Sequence, residues 1–249
     1  MTGKTHRAGG MLCSIVGFSI LRQKGLLLPE VNEGLQWLIM YPFCMWGSIA
    51  SDLDHHWDSC PQHDYPSWLV NKALHITAPI QNFLDKKSDA SRNKRNPIYQ
   101  ISKFFNAKHR SWQTHSDLTL YIILFLMYIV FTGKISFLSA VDSVLLSLVL
   151  TGACMGFMAH LILDILTPEG VWIVEFVILN RLLRLISPRV RLPEKLHIVP
   201  HKKLFATGGK WESFIQKVLK VFTILALIWF LITLFIPNWM SYIPFTIEF

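Results

Sequence analysis

The chain has 249 residues, of which 52% are hydrophobic and only 16% are charged, and its mean hydropathy is +0.38. Soluble domains carry about a quarter charged residues, so the composition disfavours an ordinary soluble enzyme. The net charge is +8. In a soluble protein this excess would indicate nucleic-acid binding, but in a membrane protein it first indicates cytoplasmic loops and anionic lipid head groups.

Five apolar runs predict the architecture, at about 11–28, 35–50, 118–141, 143–165 and 217–237. Spanning a bilayer takes about 20 apolar residues, a length that the last three runs approach or meet. The first two runs are interrupted by Arg22, Lys24 and Pro42 and could form a helical hairpin or be partly re-entrant. Buried helices of a soluble protein are the alternative. We predict an all-α, polytopic integral membrane bundle of about five transmembrane helices.

Two basic stretches predict the topology, residues 52–117 and 181–217. Two predicted spans separate them, so they share a side, and basic loops remain in the cytoplasm. The N-terminus then lies inside, and the loop near Lys134 lies outside. Lys4 and Arg7 precede the first run as in a signal peptide, but no A-x-A-like site follows, which favours a retained segment. We expect interfacial helices at 70–85 and 98–107, within the first basic stretch, and at 170–187.

Histidines and acids gather at the predicted cytoplasmic ends of the spans. Neutral imidazoles and carboxylates are the ligands of zinc and related ions, and coordination offsets the cost of burying them. His160 and Asp164 are four residues apart and project from one helical face. Arg110 lies among these residues and could hold a phosphate oxygen. The predicted metal ligands are His6, Asp52, Asp54, His109, His115, His160 and Asp164.

A structural role is the alternative for these residues. A hydrogen-bonded pair such as His160 and Asp164 can join two helices without a metal. The Cys60-Pro-Gln-His63 sequence could also bind a metal, but a solvated loop is the simpler interpretation.

Several motifs together resemble one known family. SDLDH follows an apolar run, HRSWQTHS precedes another, and GFMAHLILDILTPEGV ends a third. These motifs, with the early THRAGG and the late ATGGKWE, are similar to the membrane-bound metal-dependent hydrolases of the DUF457/YdjM type. The resemblance covers residues 1–216, and HLxLDxLTPxG is its most specific element. The HRSWQTHS motif has one residue more than the family pattern, and the insert at about 55–105 is long for the family.

The resemblance implies a function and a location. The family is distantly similar to zinc-dependent phospholipase C and the S1/P1 nucleases, which implies a divalent metal, Zn²⁺ above all and in more than one copy, and a phosphoester substrate. It implies catalytic roles for Arg110 and Glu212. The predicted location is the bacterial inner membrane, with the active site facing the cytoplasm. The substrate would be a phospholipid or a nucleic-acid phosphodiester, and membrane lipids would be partners.

The predicted domains follow from this interpretation. Residues 1–216 form the membrane-embedded hydrolase domain, with a cytoplasmic insert at about 55–108, and residues 217–249 form a C-terminal transmembrane helix and a short outer tail. Two other functions remain open. One is a non-catalytic membrane adaptor in which the His/Asp pairs are structural, and the other is a nucleic-acid-tethering protein that uses the basic loops. A transporter is disfavoured, because its polar groups should lie near the middle of the membrane.

Overall fold

The computed structural model describes residues 2–60, 62–86, 102, 110–134, 140–186, 192–198 and 208–235. These residues form eight α-helices, two short 3₁₀ turns and one antiparallel two-stranded ribbon. The helices are α1 (Gly3–Gln23), α2 (Glu33–Ala50), α3 (Tyr65–Leu74), α4 (Ala78–Lys86), α5 (Leu118–Phe131), α6 (Ala140–Ile165), α7 (Val174–Ile186) and α8 (Lys210–Phe235). The 3₁₀ turns are Ser51–Asp54 and Trp57–Ser59, and the strands are β1 (Val171–Trp172) and β2 (Lys195–Leu196).

Helix α2 shows how local sequence places the site residues. Asn32 caps its first turn by accepting hydrogen bonds from Gly34 N at 2.9 Å and Leu35 N at 3.3 Å. The helix continues through Pro42. It ends in the tighter 3₁₀ turn Ser51–Asp54, all four residues of which are buried. The turn therefore holds two carboxylates inside the protein, directly after an apolar helix.

Glycines allow α2 and α6 to pack in backbone contact. A Cβ atom on Gly152 would lie 2.3 Å from the Met40 carbonyl oxygen, and one on Gly156 would lie 2.0 Å from the Cys44 carbonyl oxygen. Small residues four positions apart are typical of closely packed helices in membranes. Gly152 contacts Met40, and four residues further along each helix Gly156 contacts Cys44, so α2 and α6 run parallel. Their C-terminal ends, which carry the predicted ligands, lie side by side.

The five long helices alternate in direction along the chain. Helix α1 is antiparallel to α6, because Gly9 meets Leu163 whereas Gly17 meets Met155. Helix α8 runs with α1, since Thr5 contacts Glu212 at one end and Arg22 contacts Thr233 at the other. The start of α5 packs beside the end of α6 in a cluster with Phe157 and Leu161. The helices α1, α5 and α8 therefore begin at the end of the bundle where α2 and α6 finish.

An apolar core occupies the bundle away from that end. Ile15, Phe18, Met40, Leu148 and Phe230 form one buried cluster to which α1, α2, α6 and α8 all contribute. Between membrane helices such a cluster stabilises the bundle through van der Waals packing. The core holds the helices in a fixed register, and the polar residues are left at one end.

The ribbon closes that end beyond α6. Thr167 donates from Oγ1 to the Asp164 carbonyl oxygen at 2.7 Å, and Gly170 adopts a φ of +62°, which turns the chain back into β1. Val171 pairs with Leu196, and Trp172 pairs with Lys195.

The all-α prediction is confirmed for the described residues, with the small ribbon as an addition, but the count of five spans is not. In the part of the chain that the structure describes, two helical stretches are long and apolar enough to cross a membrane, Asp142–Ile165 and Lys210–Thr233, whereas the apolar α5 has only 14 residues. Only 11% of the most apolar stretch of α8 is buried. A helix that is apolar and exposed in this way has the surface expected of a helix facing lipid.

The other predicted segments have mixed outcomes. Residues 170–187 contain β1 and the 13-residue helix α7, which is too short to span a bilayer. The predicted helix at 70–85 is divided between α3 and α4. The predicted helix at 98–107 lies outside the described residues, apart from Ser102. The predicted boundary at 216 falls within the continuous helix α8.

Gly156→Ala should separate α2 from α6, because the added methyl group meets main-chain atoms that cannot rotate away. Overpacking of this kind costs on the order of 1–3 kcal/mol, so the melting temperature in detergent should fall. Gly17→Ala is the matched control, because its Cβ would meet the flexible end of Met155 at 2.9 Å. Equal melting temperatures for the two variants would contradict the close packing of α2 on α6.

Candidate metal centre

Four separate segments bring histidines and aspartates together at the end of the bundle. His6 lies in the first turns of α1, Asp52 lies in the 3₁₀ turn after α2, and His115 lies just before α5. His160 and Asp164 lie in the last turns of α6. All five are buried, and the side chains of His6 and His160 are fully buried. The structure thus brings these five predicted residues together, and their role as metal ligands stays a prediction.

Asp164 is at the centre of the cluster. Its Oδ1 lies 3.5 Å from Nε2 of His6, and its Oδ2 lies 3.2 Å from Nε2 of His160 and 3.6 Å from Nε2 of His115. The same Nε2 of His115 lies 3.6 Å from Oδ1 of Asp52. The Nε2 atoms of three histidines therefore converge on two carboxylates.

These separations suit a metal ion. Zinc binds imidazole nitrogen and carboxylate oxygen at about 2.0–2.2 Å, so two ligand atoms of a tetrahedral site lie about 3.4 Å apart. Two groups of three residues have ligand atoms within 4.8 Å of one another, namely His6, His160 and Asp164, and Asp52, His115 and His160. The two groups share His160. Five of the seven predicted ligands therefore belong to sets that could hold an ion.

The orientation of His160 favours ligation through Nε2. Its Nδ1 lies 2.8 Å from the carbonyl oxygen of Ser48. A carbonyl only accepts hydrogen bonds, so Nδ1 carries the proton and Nε2 presents a lone pair to the cluster. Metal-binding histidines are commonly oriented in this way by a backbone carbonyl. Ser48 lies on α2, so the close packing of α2 on α6 also fixes the imidazole.

Unsatisfied nitrogens support the same conclusion. Among the residues that the structure describes, neither ring nitrogen of His6 has a hydrogen-bond partner, and the same holds for Nε2 of His160. A buried polar atom without a partner costs about 1–3 kcal/mol. A cation bound between these nitrogens and Asp164 would satisfy them, so the donor set and its burial fit a divalent metal.

Asp54 lies behind His115. Its Oδ2 is 3.5 Å from Nδ1 of His115, and it accepts hydrogen bonds from Thr114 Oγ1 and from the backbone N of Arg110. It belongs to neither of the two ligand groups. The carboxylate therefore orients His115 from the side opposite to the cluster.

The charges of Asp52 and His115 support each other. Burial disfavours the charged form of Asp52, but the nearby imidazoles of His115, His160 and His6 outweigh it, so the pKa of Asp52 lies well below its ordinary value. Burial also disfavours protonated His115, yet the nearby carboxylates of Asp52 and Asp54 raise its pKa to about 9. Without a metal, the cluster therefore holds a proton on His115, and a metal ion bound at Nε2 would replace it.

The other predicted residues lie around the cluster. Arg110 has a φ of +58°, and its guanidinium forms an ion pair with Glu169 at 2.8 Å. Glu212 accepts hydrogen bonds from Thr2 N, from Thr5 Oγ1 at 2.7 Å and from Gly208 N at 2.6 Å, so it joins α8 to the turn that carries His6. The catalytic roles predicted for both residues remain predictions. His109 lies outside the described residues.

The Cys60 region differs from its predicted structure. Cys60 is buried rather than solvated, and its Sγ lies 3.4 Å from Nδ2 of Asn71. Asn71 also donates to the carbonyl oxygens of Leu53 and His55 at 2.6 and 2.8 Å. This small network fixes the loop that follows Asp54, and the prediction of a solvated loop is wrong for Cys60.

Sequence analysis gave no role to Ser48 and Trp172, which contact His160 and His115, or to Glu169 and Lys195, which contact Arg110 and Trp172 beside the cluster. Ser48 contributes only a carbonyl oxygen, which no sequence pattern reveals. Thr114 could have been found, because it directly precedes His115.

The comparison with known families agrees with these observations. The family model described as YdjM inner membrane protein matches residues 1–240. The chain belongs to this family. No curated protein and no solved structure was found to match it. Membership of the YdjM family makes the chain an inner-membrane protein, in agreement with the exposed apolar surface of α8.

Thr114→Val should weaken metal binding without removing a ligand. The substitution removes the hydroxyl that donates to Asp54 and that also lies 3.1 Å from Nδ1 of His115, so both contacts that orient this imidazole are weakened. Loss of such outer hydrogen bonds costs about 10–100-fold in metal affinity, and competition with a chromophoric chelator measures it. Thr132→Val is the control, because the Thr132 hydroxyl bonds only to its own helix, at the far end of α5. Equal affinity in both variants would contradict the role given to Thr114 and Asp54 in orienting His115.

Proposed function

We propose that this YdjM-family protein is a membrane-bound, metal-dependent hydrolase of phosphoester bonds. One observation carries the proposal: buried His and Asp side chains from four segments converge with separations of 3.2 to 3.6 Å. A purely apolar site would be less costly to bury. Nitrogen and oxygen donors without thiolates favour zinc among the common ions, and the set is large enough for a second ion.

The chemistry divides between the metal and the chain. A divalent metal would supply a coordinated water of lowered pKa and would polarise a phosphoryl oxygen. The chain holds the donor atoms in place through Ser48, Asp54 and Thr114, so little reorganisation is needed when a substrate binds. Burial of Asp164 and His160 at 0% exposure keeps bulk water away from their donor atoms. Arg110 would bind a substrate phosphate oxygen, and Glu212 would keep the start of α1 in place.

A phosphoester is favoured over other esters by the charge around the site. Arg110 is adjacent to the cluster, and planar guanidinium groups bind phosphate oxygens well. The basic stretches predicted on the same side would attract anionic substrates. A phospholipid head group lies at the membrane surface, which is the depth of a site at the end of membrane helices. A nucleic-acid phosphodiester is the second substrate class, because lysines and arginines also suit a phosphate backbone.

The proposed topology has five crossings with the metal centre at the cytoplasmic face. The alternating directions of α1, α2, α5, α6 and α8 support this count, because successive spans must reverse direction. The end that carries the metal centre adjoins the basic stretches, which favour the cytoplasm. Lys134 lies at the opposite end of α5.

Removal of a ligand should abolish metal binding and hydrolysis together. His160→Ala and Asp164→Ala should each lower the metal content of purified protein by at least about tenfold, as measured by elemental analysis. Phosphodiester hydrolysis should be lost in both variants, and wild-type activity should disappear with a chelator and return with Zn²⁺. His56→Ala is the control, because His56 is exposed and outside the cluster. Unchanged metal content in both variants would refute the metal centre.

The non-catalytic alternative has its own support. His160 joins α6 to α2 through Ser48, and His6 lies 3.5 Å from Asp164 across the contact of α1 with α6. If these contacts only lock helices together, Asp164→Asn should lower the melting temperature and leave any activity unchanged. The hydrolase proposal predicts the opposite, loss of metal and activity in Asp164→Asn, because an amide is a poor zinc ligand.

The orientation can be tested by labelling from outside the cell. Lys134→Cys should react with a membrane-impermeant maleimide in intact spheroplasts, because the proposed topology exposes this position to the periplasm. His56→Cys should react only after permeabilisation, since it adjoins the metal centre. The wild-type protein, whose native cysteines are buried or half-buried, gives the background. The reverse labelling pattern would overturn the proposed orientation.

A further inference from the structure

Two basic side chains lie beside the metal centre, on segments that are distant in sequence. Arg110 precedes α5, and Lys195 lies on β2. Sequence analysis singled out Arg110 but gave Lys195 no role. The ribbon determines the position of Lys195 and ties it to the cluster.

Two backbone hydrogen bonds fix the ribbon against residues of the centre. The backbone N of Trp172 donates to the carbonyl oxygen of His115 at 2.9 Å, and the N of Ile198 donates to the carbonyl oxygen of Ile165 at 3.0 Å. His115 is a member of the cluster, and Ile165 directly follows Asp164. Lys195 is paired with Trp172 in the ribbon. Its main chain is therefore held by the same segments that supply the metal ligands.

The ammonium group of Lys195 faces Trp172. Its Nζ lies over the indole ring, 4.3 Å from the centroid, which is a cation–π contact. Among the described residues, no carboxylate lies within ion-pairing distance of this ammonium group. Burial lowers the pKa of Lys195, whereas the charges of Glu169 and Asp164 act to raise it. The charge of Lys195 thus interacts with the carboxylate of Asp164 in the cluster, and its ammonium group can still bind an anion.

Arg110 already binds an anion, the carboxylate of Glu169. The ion pair has a separation of 2.8 Å, and its two members differ in exposure, since the Arg110 side chain is 13% exposed and that of Glu169 is 59% exposed. Glu169 lies in the turn that ends α6. The indole Nε1 of Trp172 donates to the carbonyl oxygen of Arg110 at 3.1 Å, and this hydrogen bond fixes the main chain of Arg110. The cation is therefore fixed, and the carboxylate can be displaced.

A cavity adjoins Lys195, although neither Arg110 nor Glu169 belongs to its lining. It has a volume of about 400 Å³, and its lining includes Trp172, Lys195, Asn180 and His197. Small-molecule sites commonly measure about 300–1,000 Å³, so a phosphorylated head group fits this space. Lys195 lines the cavity, and its strand is fixed to the metal centre.

We propose that Lys195 and Arg110 together bind the phosphoryl group of the substrate, and that Glu169 occupies Arg110 until the phosphoryl oxygens displace it. This inference rests on the proposed function and names its substrate class. The tetrahedral phosphoryl group places oxygens on several sides of phosphorus, so one group can contact both cations and the metal centre, whereas a planar carboxylate presents its two oxygens on one side. Guanidinium suits two oxygens of one phosphate, and ammonium acts as a point charge.

The test measures binding separately from turnover. Purified, metal-loaded protein in detergent is titrated with inorganic phosphate and, in parallel, with dihexanoyl phosphatidic acid, by calorimetry. Lys195→Gln and Arg110→Gln should each weaken phosphate binding by about tenfold or more, as expected for loss of a charge-assisted hydrogen bond. Glu169→Gln should strengthen it severalfold, because the resident anion is removed. Metal content is measured for every variant and should not change.

Lys134→Gln is the matched control. Lys134 also lies over an aromatic ring, 4.8 Å from the centroid of Tyr128, but at the other end of α5. Its phosphate affinity should equal that of the wild type. If the affinities for phosphate and for phosphatidic acid both fall in Lys195→Gln, the result supports a site for phosphoryl groups in general. If only the affinity for phosphatidic acid falls, the result supports a site for a lipid phosphoryl group.

Two results would overturn the inference. One is wild-type protein that binds neither ligand, and the other is Lys195→Gln with unchanged affinity at unchanged metal content. Hydrolysis is assayed on the same samples. Phosphate binding that depends on Lys195 without any hydrolysis would refute the proposed reaction and leave the phosphoryl site supported.

Discussion

Asp164 is fully buried at the end of an apolar helix, and three imidazole rings approach its two oxygens. A carboxylate in such surroundings is stable only when its charge is compensated. The compensating groups come from α1, from the segment before α5 and from α6 itself. Each of those elements must therefore end or begin at the same level of the bundle. The helix lengths, the 3₁₀ turn after α2 and the ribbon after α6 are all consistent with this.

Close helix packing allows the cluster to form. The backbone contacts at Gly152 and Gly156 bring α2 so near to α6 that the Ser48 carbonyl reaches His160 one helical turn further along. The glycines determine the distance between α2 and α6. At that distance the Ser48 carbonyl oxygen reaches His160 and determines its imidazole tautomer. A bulkier residue in the apolar part of α6 would disturb the polar cluster, although it contacts none of its members.

Much of the cluster could be predicted from the sequence, because the apolar runs and the positive-inside rule place several span ends on one side. For this reason the sequence predicts that His6, Asp52, His115, His160 and Asp164 lie close together, as they do in the structure. The distinct position of Asp54 could not be predicted, since the local conformation of the 3₁₀ turn decides which carboxylate faces the cluster. Lys195 was missed because its position depends on pairing between β1 and β2, two strands of two residues that leave no periodic signal. Which helices pack against each other, and in which relative direction, depends on tertiary contacts such as Thr5 with Glu212, which no sequence pattern predicts.

The central claim is that these buried side chains hold a metal ion through nitrogen and oxygen atoms. X-ray absorption spectroscopy of the purified protein, recorded at the edge of whichever metal elemental analysis finds, tests it directly. The account predicts a zinc shell of nitrogen and oxygen atoms at about 2.0–2.1 Å with histidine scattering beyond it. Protein free of metal, or a shell dominated by sulfur at about 2.3 Å, would contradict it.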